Sequence, residues 1–172
     1  MKIFAPARFL DQSTQPHIAT LIALASISAL AMNIFLPSLP SMAAYYNTTP
    51  SIMSLSVAIY LGASALLQLF SGPISDRIGR RPVILISLIL FIIASLATIW
   101  APNAETFLAL RFVQAFAATT MVLSRAVVRD TVGKEAAASK IAYVTMGMAV
   151  APMIGPGIGG YLDKYFGWQA IF

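Results

Sequence analysis

Apolar residues in this chain gather into five long runs, at residues 18–39, 52–74, 83–100, 104–123 and 141–162. Short stretches between them hold almost every charge. Each run has about the length an α-helix needs to cross the hydrocarbon core of a bilayer, roughly 20 residues. The last residues, Trp168-Gln169-Ala170-Ile171-Phe172, read as the opening of a sixth run. The pattern predicts an all-α membrane protein with five transmembrane helices and the start of a sixth, preceded by a tail at residues 1–17. The first run is longer than the apolar part of a signal peptide, and further spans follow it, so it is expected to be a true span.

Composition agrees. Of 172 residues, 59% are hydrophobic and only 10% charged, against about 25% charged in an ordinary soluble domain. The mean hydropathy is +0.82. So few charges cannot cover a water-facing surface, and lipid is the expected solvent. The net charge of +5 does not point to nucleic acid, because the basic residues sit in turns without interleaved aromatic platforms. The chain has no cysteine, which removes disulfide, thiolate and sulfur-based zinc chemistry. The single histidine, His17, stands at the lip of the first run and reads as an interfacial polar residue. No metal or cofactor is expected.

The turns also carry an orientation. Lys2, Arg8, Arg77, Arg80, Arg81, Arg125, Arg129, Lys134 and Lys140 fall on one side of the predicted spans, whereas the opposite loops hold only Lys164. The positive-inside rule then puts the amino terminus and the basic loops in the cytoplasm. Trp100, Trp168, Tyr45, Tyr46, Tyr161 and Tyr165 lie at the other interface, where an aromatic belt is expected.

Four segments hold candidate chemistry. The turn Gly72-Pro73-Ile74-Ser75-Asp76-Arg77-Ile78-Gly79-Arg80-Arg81-Pro82 packs four charges into six positions. Gly72 is expected to allow close backbone approach, and Gly79 a positive φ. Positive-inside charge accounts for Arg80 and Arg81 but not for Asp76. Its expected partner is Arg77, a basic residue after span four, or the positive end of another helix. Arg111 lies within span four, about 10 Å from its outer end at 1.5 Å per residue, with Gln114 on the same face. An arginine at that depth faces a bundle interior or cavity more readily than lipid. In span five, Gly147, Ala151, Gly155 and Gly159 recur every four residues as a stripe for close helix packing. Pro152 and Pro156 are expected to bend that span. The glycines there do not make a phosphate loop, since no strand precedes them. Asn33 sits about 22 Å up span one, near the depth of Arg111. Asn33, Arg111 and Gln114 are therefore expected to share a polar patch on a central cavity, with Met32, Phe35, Tyr60 and Met121 as possible apolar lining.

These segments carry a resemblance. Gly72-x-x-x-Asp76-Arg77-x-Gly79-Arg80-Arg81 resembles the loop between helices two and three of the major facilitator superfamily. The resemblance implies a cytoplasmic latch made by these residues, with Asp130 as the carboxylate for Arg77 or Arg81. Arg111-x-x-Gln114-Ala115 is similar to that family's helix-four motif Arg-x-x-Gln-Gly, with Ala115 replacing the glycine. In drug–proton antiporters of the family that arginine is tied to proton coupling. Ala151-x-x-x-Gly155-Pro156-x-x-Gly159-Gly160 resembles the helix-five signature of the antiporter branch, with Ala151 replacing its first glycine. The resemblance implies a bend there that gates or seals the two halves. The segment from Ala31 to Pro40 and Arg125-Ala-Val-Val-Arg129-Asp130 resemble the Bcr/CflA drug-efflux subgroup. Many of its members have aspartate where Asn33 stands, and asparagine cannot titrate. Asp11, Asp76, Glu105, Asp130, Glu135 and Asp163 all lie at or beyond span ends, so a proton-carrying carboxylate is expected elsewhere, in sequence not present.

The resemblance implies an incomplete amino-terminal six-helix domain, residues 18–172, of a twelve-helix transporter built from inverted three-helix repeats. The implied activity is efflux of small apolar or amphipathic drug-like compounds across the inner membrane, by alternating access around spans one, two, four and five. Protons are the implied coupling ion, and the lipid bilayer and a missing carboxy-terminal half the implied partners. No catalytic residue is expected. Two alternatives stand beside this: an uptake facilitator of the same superfamily, which the span-five Gly-Pro pattern weighs against, and a non-transporting membrane assembly partner.

Overall fold

The computed structural model describes residues 16–131 and 133–172. Lys2, Arg8, Asp11 and most of the predicted tail lie outside the described residues, as do the side chains of Lys134 and Glu135. Among the described residues the regular structure is helical throughout. The first span is α1 (Ile18–Asn33), a 3₁₀ turn (Leu36–Ser38) and α2 (Leu39–Tyr45). The second is α3 (Pro50–Ile78) and the third α4 (Arg80–Ile99). The fourth divides into α5 (Ala104–Gln114) and α6 (Ala117–Thr131), and the fifth is α7 (Lys134–Phe166). Five helical stretches are long and apolar enough to cross a membrane.

Local chemistry sets the ends. His17 Nδ1 accepts from the Ala19 amide at 3.2 Å and caps α1. Thr49 caps α3 ahead of Pro50, where a missing amide hydrogen costs nothing. Asn103 accepts from the Thr106 amide at 2.8 Å and caps α5. Only Gly79 separates α3 from α4, with φ 95°, a conformation that favours glycine. The turn is thus far shorter than the eight or so residues between the apolar runs, because both helices continue through the charged segment. Arg125 and Arg129 likewise lie on the last turns of α6, not in a loop.

Spans one and four are broken. Pro37 has no amide hydrogen, and its ring clashes with the carbonyl four residues back, so the α-helix stops at Asn33 and resumes at Leu39. The break in span four, at residues 115–116, has neither proline nor glycine. Amides 115, 116, 118 and 119 there bond three residues back, not four, the tighter 3₁₀ pattern. By contrast α7 runs unbroken through Pro152 and Pro156.

Span one is the hub, packed chiefly against α7 and α6. The α1–α7 seam depends on glycine. A Cβ at Gly159 would lie 1.7 Å from the Ile34 carbonyl oxygen, and one at Gly147 2.2 Å from Ile22 Cγ2. At Gly155 the nearest atom would be Leu30 Cδ1, at 3.2 Å. Gly72 is different: a Cβ there meets nothing within 4 Å, so the expected close approach is absent. The lipid-facing surface is apolar, as at Leu69, Ile93 and Met153. The aromatic end is more divided than expected. Trp100, Tyr45, Tyr161 and Tyr165 are exposed, but Trp168 is buried against Phe107, Tyr46 and Phe172. Tyr46 donates to the Ala101 carbonyl at 3.3 Å. After Gly167, where the sixth span was expected to open, Trp168–Ile171 forms a 3₁₀ turn.

Candidate functional site

Arg111 is the largest wholly buried side chain among the described residues. It stands on the last turn of α5 and reaches span one, where its Nη1 donates to the Ala31 carbonyl at 3.3 Å. The same nitrogen donates to Gln114 Oε1 at 2.7 Å. Gln114 Nε2 in turn donates to Ser95 Oγ and Thr98 Oγ1 of α4, each at 3.2 Å. Two rings cover the guanidinium: its Cζ lies 4.1 Å from the Phe35 centroid and 4.7 Å from that of Tyr60. Tyr60 is held in turn by its hydroxyl, which donates to the Ser28 carbonyl at 3.1 Å. Spans one to four thus converge on one cation, beside the two helix breaks. A flat, weakly hydrated guanidinium suits such stacking better than a lysine ammonium does.

Arg111 and Gln114 are together as expected, but Asn33 is not bonded to them. Its Nδ2 donates back to the Ala29 carbonyl of its own helix at 2.7 Å. Backbone freed near the break takes its place, since the acceptor that span one offers Arg111 is the Ala31 carbonyl. The cavity beside Arg111 is about 40 Å³ and is lined by Ala31, Ile34, Ser95, Gln114 and Phe172, among others, but not by Asn33. Its walls come from spans one, three and four and the turn after Gly167, not from spans two and five. The residues not anticipated were Ser95 and Thr98. With Ser87 they form a buried polar stripe on a helix that is apolar beyond its first two residues, Arg80 and Arg81, a signal present in the spacing. Phe35 and Tyr60 were anticipated only as apolar lining, not as rings over the cation.

The second cluster is at the basic end. Arg80 Nη2 lies 2.5 Å from Asp76 Oδ1, and Arg80 Nε 3.0 Å from Asp130 Oδ2. Its Nη1 also donates to Ser75 Oγ. Asp130 therefore pairs with Arg80, and not with Arg77 or Arg81. The cause is the one-residue turn at Gly79, which starts α4 at Arg80 and brings that side chain between α3 and α6. Arg77 and Arg81 are exposed and form no ion pair among the described residues. Gly72, Asp76, Arg80, Leu123, Arg125 and Arg129 line a crevice of about 290 Å³. The span-five residues lie apart from both clusters: Gly155 and Gly159 are buried on span one, a Cβ added at Gly160 would come 3.6 Å from Pro37 Cβ, and Ala151 and Pro156 are half-buried.

Comparison with known proteins decides the family. The model of the Major Facilitator Superfamily matches residues 21–172. The chain belongs to that superfamily. It is 38% identical over 150 residues to a chloramphenicol resistance protein of Pseudomonas aeruginosa, covering 85% of this chain and 35% of that protein. It is 34% identical over 163 residues to a bicyclomycin resistance protein homolog of Haemophilus influenzae, covering 94% and 41%. Multidrug resistance protein D of Escherichia coli is 31% identical over 153 residues, covering 88% and 39%. The chain therefore spans well under half the length of these relatives. The resemblance to the Bcr/CflA drug-efflux subgroup is borne out by the relatives' names. As a superfamily member the chain is a multi-pass membrane protein, and its bacterial relatives point to the inner membrane.

Proposed function

We propose that the chain supplies the first half of an alternating-access exporter of small, partly apolar, drug-like compounds. The observation that carries this is Arg111, buried where spans one to four meet and where the α-helical hydrogen bonding of spans one and four gives way to 3₁₀ turns. A charge in hydrocarbon is costly and is retained where solutes or ions pass. Broken helices near the bilayer midplane are where transporters build their sites. Arg111 and Gln114, with Asn33 nearby on span one, are assigned to the solute pathway. The relatives' names supply chloramphenicol and bicyclomycin as the first compounds to try.

Proton entry drives export in this proposal, and the titrating carboxylate lies outside the five spans. The basic end is cytoplasmic by the positive-inside rule. There Asp76, Arg80 and Asp130 tie spans two, three and four together and serve as the latch, framed by Gly72, Gly79, Arg77 and Arg81. In span five, Ala151, Gly155, Pro156, Gly159 and Gly160 form the seal against span one. A second six-helix half completes the pathway.

Cells lacking their own drug exporters and expressing the intact transporter are expected to accumulate less chloramphenicol while a proton gradient stands. Arg111→Ala should restore accumulation to that of empty cells, with normal amounts of protein in the membrane. Undiminished export by that variant would remove Arg111 from the pathway.

A further inference from the structure

We infer that Tyr60 is a positioning residue for Arg111. Tethered to span one through its hydroxyl, its ring holds the guanidinium in the orientation that meets the Ala31 carbonyl and Gln114. The inference rests on the reading of Arg111 as part of the solute pathway. Tyr60 belongs to span two, yet its polar end is bonded to span one twice. The hydroxyl donates to the Ser28 carbonyl at 3.1 Å and lies 3.2 Å from Ser28 Oγ, whose own hydrogen is free to donate to it. The ring centroid is 4.7 Å from Arg111 Cζ, well inside the roughly 6 Å over which a ring face attracts a cation. Tyr60 is 1% exposed, so water does not weaken that attraction.

The geometry on span one shows what the hydroxyl adds. Ser28, which anchors Tyr60, and Ala31, whose carbonyl accepts from Arg111 Nη1, are three residues apart on α1. Residues at that spacing share one helix face. Ring and guanidinium therefore bond to the same face of the same helix and follow it together when it moves. A phenylalanine in span two would lack this tether. Phe35, the other ring over the guanidinium, at 4.1 Å, needs none because it belongs to span one itself. Tyr60 and Ala63 also cluster with Ala115 at the break in span four, one turn beyond Arg111. A guanidinium free to swing would lose its bond to Gln114, and with it the link to Ser95 and Thr98 of span three.

The test is the NMR spectrum of the intact transporter in lipid nanodiscs, labelled at arginine nitrogen, with Arg111→Lys used to assign the Arg111 signal. Protons over an aromatic face are shielded, so the Arg111 side-chain N–H signals are expected upfield of those from the exposed Arg77 and Arg81. Tyr60→Leu should move them downfield. Tyr60→Phe keeps a ring but cuts the tether and should move them by less; Ser28→Ala, which leaves the carbonyl, by less again. In export, Tyr60→Phe should lower the maximal rate several-fold with KM little changed and normal amounts of protein in the membrane. Tyr60→Leu should fall to the level of Arg111→Ala. Should Tyr60→Leu fail to fold, Tyr60→Phe decides alone. The inference fails if Tyr60→Phe leaves the Arg111 signal where it is in the parent, or if it moves the signal without slowing an active exporter. The spectrum needs no transport. A signal moved by Tyr60→Phe in a protein that exports nothing would sink the export proposal alone, and export with the signal unmoved would sink only this inference.

Discussion

Two arginines in this chain live in opposite circumstances. Arg80 sits at the basic end with two carboxylates and a serine hydroxyl around it, its side chain 20% exposed and those carboxylates 59% and 44% exposed. Arg111 sits mid-span with no exposure, two rings, one amide and one carbonyl. Arg80 has more partners than it needs for solvation, since water reaches the cluster. Arg111 has fewer than burial demands. Exposed ion pairs are individually weak and salt-screened, so the first arrangement is easily opened and closed. A cation held within hydrocarbon is neither screened nor cheap, so the second is a fixed charge around which other things move.

That contrast can be tested by substitution, and the largest effect is expected away from both arginines, at the seam between α1 and α7. Gly159→Val puts a side chain where the Ile34 carbonyl now lies. Backbone cannot retreat as a flexible side chain can, so the α1–α7 seam should separate and the protein fail to reach the membrane in folded form, seen as aggregation on detergent extraction. Arg111→Ala should abolish export with protein present, and Arg111→Lys should rescue little, because an ammonium cannot stack and fork as a guanidinium does. Drug accumulation measured beside membrane protein levels checks both. Gln114→Leu removes the link between Arg111 and Ser95 and leaves Nη1 with one acceptor. A loss of about 1–3 kcal/mol in stability is expected, with reduced export.

Effects at the basic end should be smaller and salt-dependent. Asp130→Asn and Asp76→Asn are each expected to cost about 0–1 kcal/mol of stability. They should shift the balance between inward- and outward-open forms by a few-fold, with drug affinity unchanged. Raising salt should blur the difference between these variants and the parent but leave the Arg111→Ala defect intact. A pure loss of drug binding in Asp76→Asn would break the comparison. Arg77→Ala and Arg81→Ala should lie within about 0.5 kcal/mol of the parent, because neither touches a carboxylate. A defect in either as large as that of Arg80→Ala would reassign the latch.

The five spans were legible because lipid demands long apolar runs, and because the charges have nowhere to sit but their ends. Arg111 stood out by the same rule in reverse. The details that failed depend on rotation about a helix axis, which run length does not encode. Whether Asp130 meets Arg77, Arg80 or Arg81 turns on the single residue left outside the helices at Gly79. Asn33 has the right depth for the Arg111 patch but bonds back to Ala29. The break at Asn33 was foreshadowed by Pro37. The break after Gln114 was not, since Ala115 and Phe116 are ordinary helix residues.

The contact between the Ile34 carbonyl and Gly159 has a mechanical consequence. With backbone lodged in the notch of a residue that has no side chain, spans one and five cannot slide along each other by a residue without collision. Any large motion must therefore carry the pair as one lever, pivoting at its ends and bearing the Ala31 carbonyl, and with it one of the ties to the guanidinium, along the arc.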